Sequence, residues 1–447
     1  MLMKKLKANL WNCNMKYRYL SVILLIFFLC GSCASVNKTL PPEGRSITAD
    51  FSGIVHGGIT NTKEEYDYLN YMGAKWILRT FYWNEIEGQQ NNWNFDGYDL
   101  IVNSAGNAGI KVLGVLAYDV SWIHPDQKNH FYIPPERLPD FLNYVKQIVE
   151  HFKGRVGAWC VWNEPNSFLF WKGTIDEYTE LVRQAVDVIK KTDSEVIVLG
   201  GAFNRNVTGL PKKMINRLFI SGAMKDVDAV AFHPYEMGVN RSIKLYRQFE
   251  EIVSQYGYKD KIWITEMGYP TGGLYPTKVS GKNFPLSIIK TFTLLAAGGA
   301  QKILWYQLFD PVNPSKLNSE DFFGLVRNTD DYTSKGAEAF RLCASYISDS
   351  VCYALTQNNL PASLKVFWFK RENGGALVLW KDGLGSAQVS LKLPGTDHLR
   401  HDIVTGSTSS INSGITIKAG SEPVFITWRT VQDSPENEEI PVITGKK

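Results

Sequence analysis

Two glutamates each close an apolar run. In "AWCVWNEPNSF" (158–168) five apolar residues lead to Asn163 and Glu164, and Pro165 then ends any strand. In "KIWITEMGY" (261–269) a second apolar run arrives at Glu266. Taken singly, either glutamate reads as a surface turn that happens to carry a carboxylate. Taken together, two carboxylates at the tips of buried strands are the groups needed for proton transfer and covalent catalysis. A core does not retain two such charges at one level without a use for them.

The elements that must position them repeat along the chain. Eight apolar runs occur between residues 51 and 310: "FSGIVHG" (51–57), "AKWILRTFY" (74–82), "IKVLGVLAY" (110–118), "VGAWCVWNE" (156–164), "EVIVLGGAF" (195–203), "VDAVAFHPY" (227–235), "KIWITEMGY" (261–269) and "KILWYQLFD" (302–310). Continuous apolar stretches of this length are the mark of parallel strands covered on both faces. Helical patterns separate them. In 176–193, Tyr178, Leu181, Val182, Ala185, Val186 and Ile189 recur at helical spacing, and 242–257 ends on Gly257. Eight such repeats predict a (β/α)8 barrel. An open doubly wound sheet is the alternative, but no glycine-rich phosphate loop follows the first strand.

Catalytic groups in such a barrel sit at the carboxyl ends of its strands. Those ends supply His56, Arg79, Tyr118, Asn163, Glu164, His233, Tyr235, Glu266, Trp305 and Tyr306. Each has a plainer reading as well: the histidines as satisfied core residues, Arg79 as the partner of any nearby acid, and Trp305 and Tyr306 as filling of the barrel mouth.

"WNEPN" on the fourth strand and "WITEMGYP" on the seventh resemble the signatures of clan A retaining glycoside hydrolases, and the resemblance covers residues 51–347. "AFHPYE" (231–236), "LWYQLFD" (304–310) and the β-rich segment that follows resemble the family 39 branch. The resemblance implies that Glu164 is the general acid/base and Glu266 the nucleophile, with carboxyl groups about 5–5.5 Å apart and retained configuration. It implies that Asn163 bonds the sugar 2-hydroxyl, that Arg79 and Tyr235 hold Glu266 ionised, that His233 orients the acid/base side, and that Trp305 stacks on the sugar beside the nucleophile. Neither metal nor organic cofactor is implied. The substrate would be an oligo- or polysaccharide with β-type linkages, its sugar left open, with preference set by loops 119–135 and 270–284. The long aromatic "SWIHPDQKNHFYIPPE" (121–136) is expected to wall the leaving-group side. A catalytically silent carbohydrate-binding lipoprotein on the same scaffold is the competing reading. A Ser-His-Asp esterase lacks its GxSxG elbow.

The rest of the chain bears on place. Lys4, Lys5, Lys7, Lys16 and Arg18 precede Cys33 with no acid among them; without them 43 basic residues face 44 acidic ones, which argues against a nucleic-acid partner. "MKYRY" (15–19), "LSVILLIFFLC" (20–30) and "CGSC" (30–33) resemble a bacterial lipoprotein signal with Cys33 as the lipidated residue. The alternative is an uncleaved membrane anchor, for which the apolar run is short, and both readings export the protein to the cell envelope. Expected boundaries are a signal (1–33), a tether (34–50), the barrel (51–347), an antiparallel β-sandwich (348–431) and a disordered tail (432–447). Cys160 reads as a small core residue, and Cys343 and Cys352 either as a bonded pair or as two buried thiols.

Overall fold

The computed structural model describes residues 44–55, 61–205, 209–274, 278–279, 281–326, 334–355, 360–430 and 441–445. The expected signal, with Cys33, lies outside them, and so does His56. Among the described residues no helix is long and apolar enough to cross a membrane.

All eight apolar runs form strands of one closed parallel barrel: β2 (Ser52–Val55), β3 (Trp76–Tyr82), β4 (Lys111–Ala117), β5 (Ala158–Val161), β6 (Ile197–Phe203), β7 (Ala229–Phe232), β8 (Ile262–Met267) and β9 (Ala300–Trp305). Pairing of β2 with β9, Gly53 opposite Leu304, closes the ring. Inward side chains of alternate residues fill its centre, among them Leu113, Val115, Cys160, Trp263 and Leu304. The helix Ile175–Thr192 shows how the outer layer is specified. Thr174 accepts from the Glu177 amide at 3.1 Å while Glu177 accepts from the Thr174 amide at 2.6 Å, and the predicted apolar face is buried.

The second domain is a β-sandwich. Its larger sheet has the order β1-β10-β11-β12-β17-β14-β15, where β1 is Arg45–Ile47, β10 Ser350–Ala354, β11 Leu364–Arg371, β12 Gly374–Lys381, β14 Thr396–His401, β15 Thr408–Ser410 and β17 Val424–Arg429. The smaller sheet is β16 (Gly414–Ala419), β13 (Ala387–Lys392) and β18 (Val442–Gly445). Val366, Trp368, Leu377, Val389, Ile417, Ile426 and Trp428 share one core between the sheets.

Two expected boundaries need correction. Residues 45–47 belong to no tether: they pair with β10, Ile47 opposite Ser350, and Ile47 is buried. Residues 442–445 belong to no disordered tail: Ile443 pairs with Leu391 and is fully buried in the sandwich core. Each strand is only three or four residues long and carries a single buried side chain, too short a signal for any periodicity to register. Cys343 and Cys352 are both free and buried, as is Cys160.

Candidate active site

The strand tips surround an open cavity of about 830 Å³ lined by Arg79, Tyr118, Asn163, Glu164, Asn204, Tyr235, Glu266, Tyr306 and Glu320 among others. Local backbone geometry brings the two glutamates into it. Beyond β5 the chain enters the left-handed region at Trp162 (φ 67°) and again at Glu164 (φ 44°), and the Glu164 amide donates to the Ala202 carbonyl at 3.1 Å. Such backbone costs about 1–3 kcal/mol per residue and persists where surrounding structure enforces it. On β8 the register against β9 shifts between Ile264 and Met267, at the position of Glu266, the kind of irregularity that re-aims a side chain. Gly268 follows because the Tyr306 carbonyl approaches so closely that a Cβ there would lie 2.1 Å from it.

His233 lies beneath the pair, 1% exposed. Its Nδ1 is 2.9 Å from Oε1 of Glu164 and 3.8 Å from Oε2 of Glu266, and its Nε2 is 2.9 Å from the Thr265 hydroxyl. One donor atom from each of Glu164, His233 and Glu266 lies within 4.8 Å of the others. That spacing is compact enough for a cation, yet the His233 nitrogen facing the pair is already bonded to Glu164. Tyr235 donates its hydroxyl to Oε2 of Glu266 at 3.2 Å. Asn163 donates Nδ2 to the Tyr118 hydroxyl at 3.1 Å.

Burial pushes Glu266 up to about 7; His233 opposes this, Glu164 adds to it, the Tyr235 hydroxyl opposes it, and Glu320 adds again. The Tyr235 hydroxyl thus acts in favour of the charged carboxylate, and Arg79 lines the same cavity. For His233 itself, burial disfavours the charge, but the Glu266 and Glu164 carboxylates outweigh it and raise its pKa. Burial, reinforced by Glu266, raises the Tyr235 phenol well above its usual range and keeps it a hydrogen-bond donor.

Trp305 does not reach the cavity. It is fully buried on the outer face of β9, against Tyr269, Phe284 and Phe292. Leu304 points into the barrel, so strand alternation sends Trp305 outward and brings Tyr306 to the site. Loop 121–136 contributes no lining residue. Phe131 instead backs Tyr118 and Phe170 at ring distances of 5.1 and 6.3 Å, and Leu169 and Phe170 form the cavity surface.

The structure adds groups that the strand-end reading passed over. Asn204 donates Nδ2 to Oε2 of Glu164 at 2.5 Å, and is itself held by Asn166, whose Nδ2 meets Asn204 Oδ1 at 2.6 Å. Asn204 directly follows the fifth apolar run, a strand end from which no candidate had been taken. Glu320 comes from a short turn, Ser319–Phe322, inside a polar loop that carries no pattern of its own. Burial raises its pKa, with the Tyr306 hydroxyl opposing and Glu164 adding to the rise.

With this geometry in view, the relatives can be placed. No family model matches the chain. A family 39 glycoside hydrolase from the gut symbiont Bacteroides cellulosilyticus superimposes with a TM-score of 0.69 at 18% identity, covering 86% of this chain and 81% of that one. The fold is shared with family 39 glycoside hydrolases. In sequence, a β-xylosidase of Caldicellulosiruptor saccharolyticus is 30% identical over 124 residues, 25% of each chain. An endo-1,4-β-xylanase B of Thermotoga neapolitana is 27% identical over 207 residues, 43% of this chain and 57% of that one. The chain thus spans between a quarter and somewhat over half the length of these curated relatives. Its structural and sequence neighbours are glycoside hydrolases.

Proposed function

We propose that the chain is a retaining glycoside hydrolase that cleaves β-linked oligo- or polysaccharides, with β-xylosidic bonds the first to test. The observation that carries this is that one carboxylate oxygen of Glu164 comes within 4.8 Å of one of Glu266, in an open cavity at the carboxyl ends of the strands. Retaining enzymes need about 5–5.5 Å between carboxyl groups, whereas inverting enzymes need about 6.5–9.5 Å to admit a water. A mere sugar binder gains nothing from two buried carboxylates that repel each other.

In this reading Glu266 attacks the anomeric carbon as the glycosidic C–O bond breaks, and Glu164 gives its proton to the leaving oxygen. In the second step Glu164 takes a proton from water, whose oxygen bonds the anomeric carbon and displaces Glu266. Asn204 and His233 hold the two oxygens of Glu164, and Tyr235 holds Glu266. The test is a panel of aryl β-glycosides with azide rescue. Glu164→Ala should form the glycosyl-enzyme from activated substrates, stall, and release a β-azide when azide is added; Glu266→Ala should yield the α-azide. Products of inverted configuration would falsify the mechanism.

Location belongs to the same proposal. The basic segment, the short apolar run and Cys33 favour an exported lipoprotein tethered to a bacterial envelope membrane. Expressed in a bacterium that processes such signals, the chain should fractionate with membranes. Exchanging Cys33 for Ala together with a soluble-type cleavage site should release it, and a wild-type chain found wholly in the soluble fraction would contradict the anchor.

A further inference from the structure

Glu164 must face the leaving group, so the cavity walls that continue from Glu164 and from the residue that holds it are the ones the departing part of the substrate meets. Two different walls do so. The first begins at Glu164 itself: the Ser167 amide donates to the Glu164 carbonyl at 2.9 Å, and the Phe170 amide to the Ser167 carbonyl at 3.0 Å. This tight loop presents Phe168, Leu169 and Phe170. Leu169 and Phe170 line the cavity; Phe168 is 76% and Leu169 57% exposed. A single exposed apolar side chain needs no explanation. Two in succession, running into a half-buried Phe170 that lines the cavity and is backed by Phe131 and Tyr118, make an apolar platform.

The second wall follows Asn204, the residue that holds Glu164. Arg205 and Glu236 both line the cavity and pair through Nε and Oε1 at 2.9 Å. Glu236 is fixed further, since its Oε2 accepts from the Met237 amide at 3.0 Å. The guanidinium side chain stays 38% exposed, which leaves a positioned donor beside a positioned acceptor at the cavity wall.

Resting on the glycosidase reading above, we propose that these walls form the subsite for a sugar as leaving group. The Phe168–Phe170 platform takes the apolar CH face of its ring, and the Arg205–Glu236 pair takes its hydroxyl edge. An aryl leaving group would use the platform alone. A pyranose uses both walls, and the enzyme so equipped removes units from saccharide chains rather than from simple phenolic glycosides.

The experiment compares three substrates with the same glycone: the glycosyl fluoride, the nitrophenyl glycoside and the disaccharide, beginning with xylose. Arg205→Gln should lower the disaccharide-to-fluoride ratio of kcat/KM about tenfold and keep the nitrophenyl-to-fluoride ratio within about twofold. Phe168→Ala with Leu169→Ala, both at exposed positions, should lower both ratios. If Arg205→Gln depresses all three substrates in parallel, or none, the slot is overturned. It is overturned equally if the platform variant affects only the nitrophenyl glycoside, which would mark an aromatic occupant. An unaltered enzyme that turns over no glycosyl fluoride of any sugar would overturn the glycosidase reading itself, and the slot with it.

Discussion

Asn204 donates to Oε2 of Glu164 at 2.5 Å, on the opposite carboxylate oxygen from the one that His233 meets. The two contacts fix the plane of the acid/base carboxyl, and Asn166 fixes Asn204 in turn. Proton delivery to the glycosidic oxygen depends on that plane. Asn204→Ala should therefore slow substrates with poor leaving groups about 10- to 100-fold, the effect of one hydrogen bond to a charged group. Substrates with good leaving groups should be affected far less. A series of aryl glycosides of graded leaving-group pKa would show it as a steeper dependence of kcat/KM; an unchanged slope would contradict this role.

The ionisation of Glu266 should set the acidic limit of activity. Burial and the neighbouring Glu164 and Glu320 carboxyls hold a proton on Glu266 up to about pH 7. The nucleophile must be ionised to attack. For activated aryl glycosides, which need no protonation of the leaving group, kcat/KM should therefore fall about tenfold per pH unit below about 7. In Glu164→Gln one like charge is gone, so the ionisation of Glu266, read from the rate of glycosyl-enzyme formation, should move to lower pH.

The same raised value makes a statement about stability. A carboxyl whose folded pKa lies above its unfolded one binds its proton more tightly when folded. The folded state is therefore penalised as pH rises from about 4.5 to 7, and carries the full penalty above 7. Glu266→Gln should raise Tm at pH 8 by the equivalent of at most about 3 kcal/mol. The gain should vanish near pH 4. The side chain is 17% exposed, so water screens part of the effect. Thermal unfolding at the two pH values measures it; an equal change at both would rule out the ionic origin.

Trp305 and Tyr306 should separate packing from binding. Trp305→Ala removes a fully buried ring from between β9 and the helix Asn283–Gly298, and should cost about 3–5 kcal/mol of stability. Trp305→Phe should retain KM. Tyr306→Ala, at the cavity surface, should instead raise KM with a smaller loss of Tm. Paired kinetics and thermal melts on the three variants distinguish the two residues.

How far the sequence discloses this site depends on the element each residue sits on. Glu164, Glu266, Asn163, Tyr118, His233 and Tyr235 end long apolar strands, and a strand end in a barrel has one address. Trp305 was misplaced because a doubly covered strand is apolar on both faces, so composition does not tell inward from outward; only the register with Leu304 does. Glu320 and the Phe168–Phe170 platform ride on loops, where no periodicity constrains direction. The raised ionisation of Glu266 is not legible in the sequence for another reason: it is set by burial and by several neighbours at once, a sum that exists only in the assembled fold.

The pairing of β1 with β10 joins the two ends of the barrel segment to one sheet. During synthesis Arg45–Ile47 emerges first, and its partner strand, Ser350–Ala354, follows only after the whole barrel has been made. The edge of the sandwich is thus a late, long-range closure, of the kind that slows folding and leaves a strand unpaired meanwhile. A gene fragment that begins at the first barrel strand would supply every catalytic group and still leave β10 with an open edge, a template for aggregation. Shortened chains made to study the chemistry should therefore start before Arg45.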